Sequence, residues 1–208
     1  MSHRVILLYG IETIPGGSEA RNWPSRLEAI WDQQGQPFDA YSWQWSGLFW
    51  KYAVGVLTWI PWYRRAINQV VIDNLRGFEA FLEGLTGVDE IFSIVAHSYA
   101  GTIVQAALEQ GVKFRKIILL ATTMDENLDW AKYEHQFDEV LVCWSPQDNI
   151  VGQSIYGQQG LLGPRVTHLR VWVRERPDHR HFDWIVPEAL KQNAQSWAQF
   201  LMRPKHDA

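Results

Sequence analysis

The residues of this chain that could do chemistry together are a serine, an aspartate and a histidine, each following a predicted strand. Ser98 follows a short apolar run, Asp148 follows a later one, and His179 and His181 follow the last. A serine hydroxyl is a poor nucleophile until an imidazole accepts its proton, and a carboxylate must hold that imidazole in the right tautomer. These residue types predict a triad in which the serine forms a covalent intermediate.

Each of these residues also has a simpler explanation. A serine between small residues is typical of a helix N-cap, and an aspartate after a proline commonly initiates a turn. Asp125 follows the strand predicted to end at Ala121 and is a rival acid, although it is also typical of the first turn of a helix. The residues alone leave the acid open between Asp148 and Asp125, and the base open between His179 and His181.

The composition restricts the class of protein and its partners. Hydrophobic residues make up 47% of the 208 positions and charged residues 20%, which is typical of a folded globular chain. A net charge of −4 leaves no basic stripe for phosphates, so we expect no nucleic-acid partner. Cys143 is the single cysteine, and no metal-ligand spacing occurs, so we expect neither a disulfide nor a metal. The serine chemistry described above leads us to expect no cofactor. The N-terminus lacks a signal-peptide pattern, which predicts a cytoplasmic protein.

Apolar, β-favouring runs alternate with segments of helical periodicity along the whole chain. The predicted strands are Arg4–Tyr9, Phe38–Trp43, Ile91–Ala96, Lys116–Ala121, Glu139–Ser145 and Val166–Val173. Helices are predicted before Ile91, after Ser98 and at the C-terminus after Pro187, from apolar residues spaced three or four apart. Such alternation predicts a single domain over residues 1–208, built as a three-layer α/β/α sandwich on a mostly parallel six-stranded sheet.

The segment around Ser98 resembles the nucleophile elbow of the α/β-hydrolases, whose pattern is G-x-S-x-G. Residues 96–101 read Ala-His-Ser-Tyr-Ala-Gly, so alanine replaces both glycines and keeps the turn small. The order serine, acid, histidine is also that of the family. The resemblance implies the α/β-hydrolase fold, with oxyanion donors at the backbone N–H groups of Ile11 and Tyr99. It also implies that the side chain of His97 points away from the Ser98 hydroxyl.

The same resemblance favours one of the two candidates for the acid and one of the two candidates for the base. The family places its acid after the strand that Asp148 follows, which favours Asp148 over Asp125. The family's histidine loop leads to a proline and a final helix, and His181 lies six residues before Pro187. We therefore expect His181, rather than His179, to be the base.

A Trp-rich apolar segment occupies residues 43–63 and holds five of the twelve tryptophans. Its apolar part is far shorter than the ~20 residues that a membrane-spanning helix needs. Three interpretations remain: the segment covers one end of the sheet, it lines an acyl pocket through Trp59 and Trp62, or it makes peripheral contact with a membrane surface.

The function that these observations favour is hydrolysis of carboxylic esters by Ser98, His181 and Asp148 through an acyl-enzyme. The expected substrate is a small-molecule or lipid-like ester. The short connection between Ala121 and Glu139 predicts little or no cap over the site. The alternative is a non-catalytic binding or membrane-associated protein that uses the Trp-rich segment. The sequence predicts neither the physiological substrate nor the oligomeric state.

Overall fold

The computed structural model describes residues 3–9, 22–43, 76–84, 91–98, 100–122, 128–148 and 170–204. The elements in these ranges are β1 (His3–Leu8), α1 (Trp23–Gln33), β2 (Phe38–Trp43), helical residues 76–84 (α2), β3 (Phe92–His97), α3 (Ala100–Glu109), β4 (Phe114–Leu120), β5 (Glu139–Trp144), β6 (Val171–Glu175) and α4 (Pro187–Met202). Two 3₁₀ helices, Trp130–Gln136 and His181–Trp184, complete the described elements. No helix among these residues is long and apolar enough to cross a membrane.

The six described strands form one sheet in the order β2-β1-β3-β4-β5-β6, and every neighbouring pair is parallel. The prediction of a mostly parallel six-stranded sheet is confirmed, since no antiparallel pair occurs among the described strands. The side chains of β3 are buried along its whole length, because helices cover both faces of the sheet. Parallel strands place their carboxyl ends at the same edge, so the residues that follow them are brought together there.

Successive residues of each central strand face opposite layers, which gives the protein two cores. In β3, Ile94 and Ala96 pack with α2, α3 and the first 3₁₀ helix, whereas Val95 packs with α1 and α4. The indole N–H of Trp31 in α1 donates to the backbone oxygen of Ala194 in α4 at 3.0 Å, which ties the two helices of that layer together. The sheet is therefore the middle layer of an α/β/α sandwich, as predicted.

β2 has its predicted bounds, four strands differ from theirs by one or two residues, and β6 begins at Val171, since Arg170 lies in a turn. β1 and β3 are shifted by one residue, and β4 begins at Phe114 because this residue pairs with Phe92. β5 ends one residue earlier than predicted, at Trp144. β6 continues past Val173 to Glu175, which pairs with Trp144; the predicted start of this strand at 166 lies outside the described residues. Three strands include a polar end residue that the apolar pattern does not mark, because backbone pairing continues past the apolar run: His3, His97 and Glu175.

The amino-terminal edge of the sheet holds a buried ion network. Glu139 accepts hydrogen bonds from the ammonium group of Lys116, from Nε and Nη2 of Arg203 at 2.8 and 2.7 Å, and from Nε1 of Trp172 at 3.0 Å. The guanidinium of Arg203 also lies over the rings of Trp172 and Phe200. This network connects the C-terminal end of α4 to the first residues of β4 and β5.

Candidate active site

The turn between β3 and α3 presents the hydroxyl of Ser98 at the carboxyl edge of the sheet. The φ angle of Ser98 is 59°, which is uncommon for a residue other than glycine. Its N–H donates to the backbone oxygen of Leu120 at 3.0 Å, and its carbonyl accepts from Gly101 at 3.2 Å. Ala96 and Ala100, which flank the turn, are fully buried, so larger side chains would not fit there. Backbone strain of this kind is held by the surrounding structure and is common at functional sites.

A second left-handed residue lies beside this turn. Ala121 directly follows Leu120, the residue that binds the Ser98 N–H, and has a φ of 46°. Its own N–H donates to the backbone oxygen of Cys143 at 2.8 Å. The left-handed backbone ends β4 one residue before the predicted end at Ala121, and it turns the chain away at the edge where Ser98 lies.

His181 lies between the other two candidates. Its Nε2 is 2.8 Å from Oγ of Ser98, and its Nδ1 is 2.8 Å from Oδ2 of Asp148. The carboxylate only accepts, so Nδ1 carries the proton and Nε2 is left to accept from the serine hydroxyl. His181 is 1% exposed; its hydrogen bond to Ser98 is partly buried, and its hydrogen bond to Asp148 lies in a buried environment. Electrostatic interactions are stronger there than in water.

Asp148 is placed by a tight turn after β5. Its N–H donates to the backbone oxygen of Ser145 at 3.2 Å, while Oγ of Ser145 accepts from the N–H of Gln147 at 3.1 Å. The aspartate is 3% exposed, although it follows a proline in a sequence typical of a surface turn. The turn therefore directs the carboxylate inward, toward His181.

Solved structures with the same architecture span nearly the whole chain. A monoacylglycerol lipase from Paleococcus ferrophilus matches with a TM-score of 0.56 at 12% identity, over 95% of this chain and 93% of that one. An α/β serine hydrolase without lid from Xanthomonas campestris matches with a TM-score of 0.55 at 14% identity, over 93% and 79%. The esterase domain of a Rhodothermus marinus protein matches with a TM-score of 0.54 at 12% identity, over 96% and 87%. No protein-family model and no curated protein matches the sequence.

This chain has the α/β-hydrolase fold. In open sheets of parallel strands, ligands bind beyond the carboxyl ends of the strands. Ser98, Asp148 and His181 lie at that edge of this α/β-hydrolase fold, after β3, β5 and β6 respectively.

The rival base lies apart from this hydrogen-bonded chain. Nδ1 of His179 is 3.3 Å from Oδ1 of Asp178, an exposed surface residue. The ring of His179 packs against Trp184 with the centroids 4.8 Å apart. The structure therefore brings His181, and not His179, to Ser98.

Several predicted residues lie outside the described part of the chain. They are the rival acid Asp125, the oxyanion donors Ile11 and Tyr99, and the pocket residues Trp59 and Trp62. Their roles stay predictions. Within the Trp-rich segment the structure describes Trp43, whose ring packs against Phe78 with the centroids 5.4 Å apart, so this tryptophan covers the core.

The structure adds His97 to the site, a residue that the sequence placed beside Ser98 without assigning it a role. Its ring packs against that of His181 at an interplanar angle of 47°, with the centroids 4.9 Å apart, and its Nε2 is 3.2 Å from the backbone oxygen of His181. Alternation along β3 was the available signal, because it points residue 97 to the same layer as α1 and α4. Among the described residues, no three histidine, cysteine or acidic side chains cluster as metal ligands would.

Proposed function

We propose that this protein is a serine hydrolase that cleaves carboxylic esters. The observation that carries the proposal is the continuous hydrogen-bonded chain from Oγ of Ser98 through the imidazole of His181 to Asp148, with 2.8 Å at each step. The backbone conformation of Ser98 supports it, since a strained turn holds the hydroxyl at the edge where ligands of such sheets bind.

In the acylation step, Oγ of Ser98 attacks the carbonyl carbon of the ester while its proton passes to Nε2 of His181. The negative charge of Asp148 stabilises the imidazolium that forms, and its hydrogen bond keeps Nε2 directed at the serine. When the tetrahedral intermediate collapses, the C–O bond to the alcohol breaks and the departing oxygen takes the proton from His181. The alcohol leaves and the acyl group stays on Ser98.

In the deacylation step, water attacks the acyl carbon and gives its proton to the same nitrogen of His181. The bond between the acyl carbon and Oγ of Ser98 then breaks, the oxygen recovers the proton, and the carboxylic acid leaves. One imidazole therefore acts as base and then as acid in each half of the reaction. No redox partner enters the balance.

The oxyanion of both tetrahedral intermediates is assigned in this proposal to the backbone N–H groups of Ile11 and Tyr99. Two fixed donors aimed at a developing charge stabilise it strongly, and losing one costs roughly 10²–10³-fold in rate. Tyr99 directly precedes α3, whose N-terminus favours negative charge.

The substrate class in this proposal is an ester with an apolar acyl group. Two of the similar structures are called a monoacylglycerol lipase and an esterase domain, which supports an ester rather than a phosphoryl or glycosyl substrate. The serine hydrolase described as lacking a lid supports the expectation of little or no cap between Ala121 and Glu139. The 3₁₀ helix in that connection also places Trp130 and Tyr133 in the core rather than over the site.

The test is labelling with a fluorophosphonate probe, followed by mass spectrometry of the intact protein and its peptides. We expect one adduct, on Ser98, because only a hydroxyl paired with an imidazole is reactive enough. Ser98→Ala should abolish the adduct, and Asp148→Asn should slow it by roughly 10⁴-fold, since the amide no longer holds the required tautomer. Folded protein that carries no adduct on Ser98 would refute the proposal and favour the binding-protein alternative.

A matched pair of histidine variants tests the base. His181→Ala should prevent labelling, whereas His179→Ala should keep most of it, because His179 faces Asp178 and Trp184 rather than the serine. If His179→Ala prevented labelling and His181→Ala did not, the base would be His179 instead of His181. Hydrolysis of nitrophenyl esters by the wild-type protein then establishes turnover rather than labelling alone.

A further inference from the structure

His97 is a buried polar residue that joins the strand of the nucleophile to the loop of the base. Its side chain is 3% exposed, and its Nε2 lies 3.2 Å from the backbone oxygen of His181. A carbonyl oxygen only accepts hydrogen bonds, so Nε2 of His97 carries the proton and donates it. Apolar rings surround the pair, with the centroids of Trp23 and Phe182 at 6.5 and 6.0 Å from that of His97.

We propose that His97 is a positioning residue, which holds the backbone of His181 so that its imidazole stays directed at Ser98. The kinetic part of this inference rests on the proposed function; the structural part does not. His97 does not touch the reacting atoms. It acts through the main chain of His181.

The connectivity makes this contact effective. His97 is the last residue of β3, which lies between β1 and β4, and Ser98 follows it directly in the turn, so the positioning residue and the nucleophile are adjacent along the chain. The loop that carries His181 begins with a cap, in which the N–H of Arg180 donates to Asp183 at 2.7 Å. Asp183 fixes the shape of the loop, and His97 fixes its distance from Ser98. Active-site groups have to be held within about 0.5 Å, so a contact that sets this distance matters.

The charge of His97 also suits the role. Burial, and then the neighbouring His181, lower the pKa of His97 well below the ordinary value of 6.5. His97 is therefore neutral when His181 takes up a proton from the serine. A neutral donor holds the loop without repelling the imidazolium, which a lysine or a charged histidine would do.

The test compares two variants of almost equal length, His97→Gln and His97→Met. The amide nitrogen of glutamine reaches about as far as Nε2 of histidine and can donate to the same carbonyl, whereas methionine fills similar space without a donor. The first measurement is the low-field proton NMR resonance of the N–H between His181 and Asp148, assigned by its absence in His181→Ala. We expect it to persist in His97→Gln and to broaden or shift in His97→Met.

The second measurement is the rate of fluorophosphonate labelling. We expect His97→Met to be slower by roughly tenfold, the kinetic equivalent of one lost hydrogen bond, and His97→Gln to stay within about threefold of wild type. Ile6→Val, a core substitution in β1 on the other face of the sheet, is the control for a general loss of stability, and melting temperatures are recorded for all variants. If His97→Met does not fold, His97→Asn, whose amide is too short to reach the carbonyl, takes its place with the same expectation.

A resonance and a labelling rate that are unchanged in His97→Met, or equally changed in both variants, would overturn the inference. A wild-type protein that is not labelled, but whose resonance responds to the two variants as expected, would refute the proposed function and leave the positioning role standing.

Discussion

Replacing Glu139 by glutamine should destabilise the protein more than any other single change in the ion network of β4 and β5. The carboxylate is 1% exposed and accepts from Lys116, Arg203 and Trp172. Lys116 is fully buried, whereas the side chain of Arg203 keeps 33% of its surface exposed. Glu139→Gln preserves the shape of the side chain and removes the negative charge that both cations share.

The size of the stability loss in Glu139→Gln depends on the charges that stay buried in the variant. The ammonium of Lys116 stays buried without its hydrogen-bonded carboxylate and keeps only the weaker electrostatic attraction of Asp138. Breaking a buried ion pair in this way costs about 3–5 kcal/mol. Arg203 contributes less to the loss, because its guanidinium can turn toward water. A typical domain is stable by about 5–15 kcal/mol, so the variant loses a large part of its free energy of unfolding.

Replacing the cation instead of the carboxylate should lower the free energy of unfolding much less. Lys116→Met removes the ammonium and leaves Glu139 paired with Arg203, a balanced pair with two hydrogen bonds at 2.8 and 2.7 Å. The loss is one charged hydrogen bond, and it is offset because the ammonium no longer has to be desolvated, so we expect a cost of about 1 kcal/mol. The double variant Lys116→Met/Glu139→Gln should be more stable than Glu139→Gln alone, because the stranded charge is gone.

Urea unfolding followed by tryptophan fluorescence measures all four proteins, and the double-mutant cycle gives the coupling between Lys116 and Glu139. Burial lowers the pKa of Lys116, and its hydrogen bond to Glu139 partly offsets this. Without the carboxylate the folded-state pKa falls further below that of the unfolded chain. The deficit of Glu139→Gln should therefore shrink as the pH rises toward the ordinary pKa of lysine. Equal costs for the two single variants, or a double variant no better than Glu139→Gln, would refute the reasoning.

Two further predictions concern pH and acyl-chain length. Nε2 of His3 lies 2.8 Å from Oγ of Ser93 and its Nδ1 accepts from Arg115 at 3.2 Å; burial, and then Arg115, lower its pKa to about 4. Stability should fall as the pH drops from 6.5 toward 4, since the unfolded chain takes up this proton first, and urea midpoints of His3→Gln should show a shallower fall. If Trp59 and Trp62 line an acyl pocket, replacing either by alanine should lower kcat/KM more for long-chain esters than for acetate esters, by up to about 0.8 kcal/mol per methylene no longer buried. Equal losses with a lower melting temperature would instead indicate a core role, and weaker liposome binding at unchanged stability a membrane contact.

The sequence predicted the architecture because apolar runs mark strands that are buried on both faces, as in β3 and β4. It also singled out Ser98, Asp148 and His181, which the structure brings within hydrogen-bonding distance; their catalytic role stays a prediction. These residues could be found because each has the side-chain chemistry that a triad needs and follows a strand.

The features that the sequence did not predict depend on tertiary contacts. His97 forms a hydrogen bond to a backbone carbonyl oxygen, that of residue 181. Every residue has such an oxygen, so the sequence cannot indicate this contact. Lys116 and Glu139 look like solvated residues near the starts of strands, and only the parallel register of β4 and β5 places them opposite each other. The order of the strands likewise depends on how the helices pack, which local patterns do not specify.

The wholly parallel sheet has a kinetic consequence. Each described pairing joins segments that are distant in sequence: Val5 in β1 lies opposite Ser93 in β3, and no hairpin among the described strands can form first as a local nucleus. To form such a pairing, the chain must first close a long loop, and this loses conformational entropy before any stabilising contact is made. Folding is slow for that reason. During synthesis, one edge of β1 stays without its partner until β3 has left the ribosome. Over that interval the apolar strand is open to pairing with other chains, so we expect the incomplete sheet to be the stage of synthesis most prone to aggregation.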